Sequence, residues 1–341
     1  MTSKGQPTNR FEYLSTFLYS LAISLTGLLI YLSYSIASPK SNVVDSVAVY
    51  VAPDSNFTHV WTAPSDWRMM YLAPQEKELV LYGKELIAHT SDYLGPKGSV
   101  MAISNGMNCQ NCHLNAGTQP WGNNYFAVQS TYPKFRARSG TKENQVKRVN
   151  DCFERSLNGQ ALDSTSREMR AILAYIKWLG SDVSKKVVPK GSGIFKLKIM
   201  NRACDPKKGE AVYVAKCQSC HQMDGSGVMA ASGKSYTYPP LWGNHSYNVG
   251  AGLYRISNFA GFVKYNMPLG TTYEKPQLTD EEAWDVAAFV NSMPRPVKDL
   301  SRDWPDISKK PFDHPFGPYA DSFSEDQHKY GPFKMIKEFY K

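Results

Sequence analysis

The chain has 341 residues, room for two modest domains at the usual ~150 residues each. Apolar residues at 42% and charged residues at 20% are ordinary globular proportions, which exclude a largely disordered, collagenous or many-span membrane protein. Lys plus Arg outnumber Asp plus Glu by 39 to 30, a formal charge of +9 that suits small anions or acidic proteins; without a dense basic stripe or a recognisable binding module, nucleic acid is not an expected partner.

No charged residue lies between Tyr13 and Pro39, and the run from Leu14 to Ala37 is of membrane length. Lys4 and Arg10 precede it, so the positive-inside rule puts everything after Ser38 outside. A cleaved signal peptide ending near Ala37 is the competing reading, although its apolar core would be unusually long. Residues 1–38 are expected to form an N-terminal transmembrane helix that anchors an exported body at the periplasmic face of the cytoplasmic membrane. Residues 39–74 show little periodicity and are expected to be an extended arm.

Residues 75–180 read as a first helical domain. A leading helix from Gln75 to Thr90 carries Leu79, Tyr82, Leu86 and Ile87 at helical spacing. A second helix is expected from Thr141 to Leu157, with Val146, Val149, Phe153 and Leu157 as its core stripe. A closing helix follows from Ser166 to Leu179, with Thr165 and Glu168 as a capping box, Met169, Ile172, Ile176 and Leu179 on its inner face, and Gly180 at its end. Residues 181–202, with Pro189, Gly191 and Gly193 among lysines, read as a linker.

Residues 203–294 repeat the plan, with a short helix from Lys208 to Ala215 and a final helix after Thr279, where Thr279 and Glu282 form another capping box. Residues 295–341 are rich in proline and aromatic residues and either wrap a domain or dock on a partner.

The cysteines carry the chemistry. Cys109-Gln110-Asn111-Cys112-His113 and Cys217-Gln218-Ser219-Cys220-His221 are attachment motifs for c-type haem, in which two thiols bond the porphyrin and the adjacent imidazole ligates iron. Cys-x-x-Cys alone would leave zinc or redox dithiols open; the histidine that follows, twice, decides for two covalent haems. The motifs begin 108 residues apart, about one cytochrome c domain. The expected fold class is mainly α: two tandem cytochrome c domains behind an N-terminal transmembrane helix.

The second iron ligand decides between electron transfer and substrate chemistry. In the second domain Met267, 46 residues after His221 in Asn266-Met267-Pro268, is the candidate. The first domain has no such segment but has Cys152, with Arg148 and Ser156 four residues to either side on one helical face. A thiol beside a guanidinium favours the thiolate, a soft ligand and nucleophile. The alternatives for Cys152 are a disulfide with Cys204 or an inert buried thiol, and Met169 is a rival ligand better suited to core packing.

Over residues 75–295 the sequence resembles the dihaem cytochrome c thiosulfate dehydrogenases. The resemblance rests on Cys109-Gln-Asn-Cys-His113-Leu-Asn-Ala-Gly117, Tyr132-Pro-Lys-Phe-Arg-Ala-Arg138-Ser-Gly140 and Asn150-Asp-Cys152-Phe-Glu-Arg-Ser156-Leu-Asn-Gly159. It implies that Cys152, 39 residues after His113, is the distal ligand of the active-site haem, and that Arg138, Arg148 and Ser156 line an anion site. The implied reaction joins two thiosulfates as tetrathionate and passes electrons through the second haem to an external acceptor such as a cytochrome or respiratory complex. Some members carry Lys before the distal Met; here Asn266 stands there, which removes ligand exchange with an adjacent Lys, although Lys264 is near. The alternatives are a membrane-anchored dihaem electron carrier and a tetrathionate reductase.

Overall fold

A computed structural model describes residues 60–340 together with residues 18, 19, 21 and 24–26. The transmembrane helix expected within residues 1–38 falls almost entirely outside the described residues. Among the described residues no helix is long and apolar enough to cross a membrane. The fold class is corrected accordingly to a mainly helical chain with two haem-motif domains, and membrane anchoring through that helix is withdrawn. Most of the arm at 39–74 is also outside the described residues; its end packs Trp61 on Phe126, with ring centroids 3.7 Å apart, and turns through Asp66–Tyr71.

The first domain opens with α1 (Pro74–Ala88), whose Pro74 sits in the first turn, where its missing N–H costs nothing. The haem motif follows, and then β1 (Lys134–Arg136) pairs antiparallel with β2 (Thr141–Glu143), Arg136 opposite Thr141. The helix expected from Thr141 starts later, as α2 (Gln145–Arg155), because Asn144 caps it by accepting from the Lys147 amide at 2.9 Å. α3 (Arg167–Leu179) buries Met169, Ile172, Ile176 and Leu179 as expected, each contributing about 1.5–3 kcal/mol of apolar burial. Its cap is Ser166, not Thr165: Thr165 is bound to Asp163, and Glu168 instead accepts from the Tyr82 hydroxyl at 2.9 Å.

The second domain repeats the arrangement with α4 (Pro206–Lys216), capped by Asp205. A helix that the sequence reading did not place, α5 (Ile256–Asn266), delivers Met267 at its C-terminus. α6 (Asp280–Ser292) carries the expected capping box, with Thr279 and Glu282 bonding reciprocally at 3.1 and 2.7 Å. In each domain the leading helix crosses the closing helix on a glycine. A Cβ on Gly83 would lie 2.0 Å from the Ala171 carbonyl oxygen, and one on Gly209 would lie 1.9 Å from that of Asp285.

The C-terminal extension wraps the body. Its residues return to α5, where Asp313 accepts from Arg255 and from the Ser257 amide and hydroxyl, and end in α7 (Glu325–Tyr330) and α8 (Lys334–Phe339). Burial pushes the Asp313 carboxyl up, but Arg255 and the Ser257 bonds outweigh it and hold it below its ordinary value of 3.8. Its folded value being the lower, this carboxylate stabilises fully above the unfolded value and loses its contribution as pH falls through the folded one. Acid melting curves are therefore expected to show Asp313→Asn less stable than the parent at neutral pH, with the difference narrowing below about pH 4.

Candidate active site

Two cavities hold the two motifs. The first, about 550 Å3, is lined by Cys109, Cys112, His113, Arg138, Arg148, Cys152 and Ser156. The second, about 290 Å3, is lined by Cys217, Cys220, His221 and Met267. They abut, because Asn108 and Cys112 line both.

The donor sets fit haem. His113 bonds through Nδ1 to the Asn123 carbonyl, and His221 Nδ1 lies 2.8 Å from the Pro239 carbonyl oxygen. A carbonyl only accepts, so each Nδ1 carries the proton and each Nε2 keeps a lone pair for iron. Burial lowers the His113 pKa to about 4 and that of His221 below its ordinary value, which keeps both imidazoles neutral and ligating. Tyr125 stacks on His113 at 4.5 Å and fixes the ring plane. Of the eight polar side-chain atoms left buried without partners among the described residues, four, Tyr132 Oη, Arg155 Nε, Ser192 Oγ and Trp304 Nε1, belong to residues lining the first cavity. Such groups call for a polar guest.

The face of α2 performs as its spacing requires. Arg148 Nη1 donates to Cys152 Sγ at 3.3 Å, and the Cys152 sulfur in turn raises the Arg148 pKa further, so this guanidinium is always charged. Cys152 and Cys204 are both free thiols, which removes the disulfide alternative. Cys204 is buried, its thiol pushed up to about 12 by burial, and its amide bonds the Tyr330 carbonyl at 2.8 Å. Met169 is fully buried in the core of α3.

Arg138 lies in the turn between β1 and β2 and is already partly engaged. Its Nη1 donates to the Gly250 carbonyl at 2.8 Å and its Nε is 3.8 Å from the Asp303 carboxylate. Burial and then the neighbouring Arg155 lower its pKa to about 10, which leaves it protonated at neutral pH. Sequence reasoning missed Arg155, which grips Asp303 with two bonds of 2.8 Å, and Trp304, whose ring lies 5.5 Å from the Arg138 guanidinium. Arg155 sits within the quoted Cys152 segment, so spacing could have found it; Asp303 and Trp304 come from the extension, where no local pattern points to the site.

At the second cavity Asn266 is buried and bridges the domains, accepting from Gln119 at 2.7 Å and donating to the Trp121 carbonyl at 3.1 Å. Lys264 is held by the Leu278 carbonyl at 2.6 Å and by Asp280 at 2.9 Å, so it is committed away from the Met267 position.

Known proteins share this arrangement. The family profile described as SoxA/TsdA, cytochrome c domain, matches residues 100–184, and the one described as cytochrome c matches residues 206–294. The thiosulfate dehydrogenase of Allochromatium vinosum is 43% identical over 199 residues, 57% of this chain and 72% of that protein. The chain belongs to the thiosulfate dehydrogenase family. The enzyme of that name from Psychrobacter arcticus is 38% identical over 210 residues, 60% of this chain and 61% of its own. A solved thiosulfate dehydrogenase (TsdBA) from Marichromatium purpuratum superposes with a TM-score of 0.63 at 30% identity, covering 70% of this chain but only half of that one. As a member of the thiosulfate dehydrogenase family, the chain is an oxidoreductase of sulfur compounds carrying two covalently bound haem c groups.

Proposed function

We propose that this chain oxidises thiosulfate in the first cavity, joins two molecules as tetrathionate, and passes the electrons by way of the second domain to an external acceptor. The observation that carries this reading is Cys152 Sγ beside Arg148 Nη1 at 3.3 Å, in a cavity that Arg138 and Ser156 also line. Cys109, Cys112 and His113 would hold one haem with Cys152 as distal ligand, and Cys217, Cys220 and His221 the other with Met267. When bound, the haems supply one-electron acceptors.

The chain's own residues bind and orient. Arg148 pairs with the sulfonate of an incoming thiosulfate, Arg138 adds positive charge, and Ser156 offers a hydroxyl at the C-terminal end of α2. The Cys152 thiolate and the outer sulfur of the first thiosulfate together lose two electrons as a sulfur–sulfur bond forms between them. The outer sulfur of a second thiosulfate attacks that bond at the substrate-derived sulfur, and the Cys152 thiolate departs. The balance is two thiosulfates to one tetrathionate and two electrons, with no proton transferred. The exported location expected from the uncharged N-terminal run belongs to the same proposal.

The test is thiosulfate-dependent haem reduction of the purified protein, followed optically beside a tetrathionate assay. Turnover supports the reading; none in either direction, with both haems intact, overturns it in favour of an electron carrier. Within this reading Arg148→Ala removes a charged donor to the sulfonate and is expected to raise the KM for thiosulfate at least about tenfold. An unchanged KM would remove Arg148 from the anion site.

A further inference from the structure

The C-terminal extension begins beyond the last residue matched by the family profiles, 294, yet its Trp304 lines the first cavity and the preceding Asp303 binds Arg155, which lines it too. Asp303 takes both terminal nitrogens of Arg155, at 2.8 Å each, and leaves the Nε–H of that guanidinium buried and without a partner. Trp304 follows, its amide donating to the Arg138 carbonyl at 2.7 Å and its indole lying against the Arg138 guanidinium. Its Nε1–H is likewise buried without a partner.

The seating of Trp304 is specific. Its φ of +60° is in the left-handed region, which a bulky side chain occupies only where its surroundings hold it there. Pro305 then packs on Gly140 so closely that a Cβ there would lie 2.6 Å from Pro305 Cγ. The same short stretch therefore fixes an indole in a strained backbone conformation and leaves its one polar atom unused. A buried N–H without an acceptor is costly, and two on cavity-lining residues joined through the Asp303–Trp304 step, beside the Arg138 and Arg155 guanidinium groups, describe a site for an oxyanion.

We propose that Trp304 Nε1 and Arg155 Nε form an oxyanion-binding corner that the C-terminal extension adds to the first cavity, with Asp303 holding Arg155 in position. Its ligand is a carboxylate or sulfonate oxygen. Two sources carry that chemistry: a propionate of the first haem and the sulfonate of thiosulfate, the second resting on the function proposed above.

Trp304→Phe removes the N–H and keeps the ring over Arg138; Arg155→Lys keeps the charge facing Asp303 and removes the Nε donor. Both are to be made in the haem-loaded full chain, with haem content and thermal melting confirming the fold. Optical redox titration of the first haem and thiosulfate kinetics are then measured on each. If the oxygen belongs to a propionate, the potential of the first haem falls in both variants, because a less neutralised carboxylate favours ferric iron, while KM stays unchanged. If it belongs to thiosulfate, KM rises about tenfold and the potential holds. A folded Trp304→Phe protein that changes neither quantity overturns the proposal. Turnover by the parent protein in the same assay reports separately on the thiosulfate reading, and the redox arm stands without it.

Discussion

Cys152→Ala is expected to fold, to retain both haems and to lose thiosulfate turnover by at least about three orders of magnitude, the scale on which an activated nucleophile matters. Its thiol contributes little to the core, since Phe153 and Leu157 supply the buried apolar contacts of this segment. The attachment residues Cys109, Cys112 and His113 lie elsewhere in the chain and do not depend on it. The loss is instead chemical: alanine removes the sulfur that Arg148 holds at 3.3 Å, and with it the group proposed as both distal ligand and reacting sulfur. The haem absorbance spectrum should change as the first iron loses a thiolate, while stoichiometry by mass remains two haems per chain. Tetrathionate formation at the parental rate would refute the assignment of Cys152 as the reacting sulfur.

Gly83→Ala and Gly209→Ala are each expected to destabilise the protein by about 2 kcal/mol or more, read as a lowered midpoint in denaturant. The prediction opposes helix propensity, by which alanine in a helix interior is better than glycine by about 0.5–1 kcal/mol. Tertiary contact reverses the sign. The new methyl would meet a backbone carbonyl oxygen at 2.0 Å in one domain and 1.9 Å in the other, and carbonyls within a hydrogen-bonded helix cannot swing aside as a flexible side chain would. Each pair of helices must separate, opening the buried faces of α1 against α3 or of α4 against α6. A variant as stable as the parent would show that the crossing is looser than described.

The local chemistry was legible because it depends on near neighbours in the chain. Haem attachment needs two thiols and an imidazole within five residues, and Cys152 meets Arg148 through a single helical turn. Capping was legible at Thr279, where both reciprocal bonds form, and misread by one residue at Thr165, because Asp163 competes for that hydroxyl. The start of α2 was placed too early for a similar reason: Thr141–Glu143 pairs with Lys134–Arg136 across the turn containing Arg138, a contact that helical periodicity does not see. The helix leading into Met267 was missed, since the candidate ligand was read from its distance to His221 and not from the pattern of Ile256–Asn266.

By itself the sequence determined two haem-binding units and placed Arg148 beside Cys152, and it nominated the proximal and distal ligands, all from residue identity and spacing over short stretches of chain. Tertiary structure alone decided that Cys152 and Cys204 stay apart, that Arg138 is shared with Gly250 and Asp303, and that a proline-rich tail places Trp304 in the first cavity. Arg155 and Asp303 are 148 residues apart in the chain and 2.8 Å apart in space. Pairings at that separation leave no periodic trace, because they arise only when packing of the two domains and the returning tail brings the charges together.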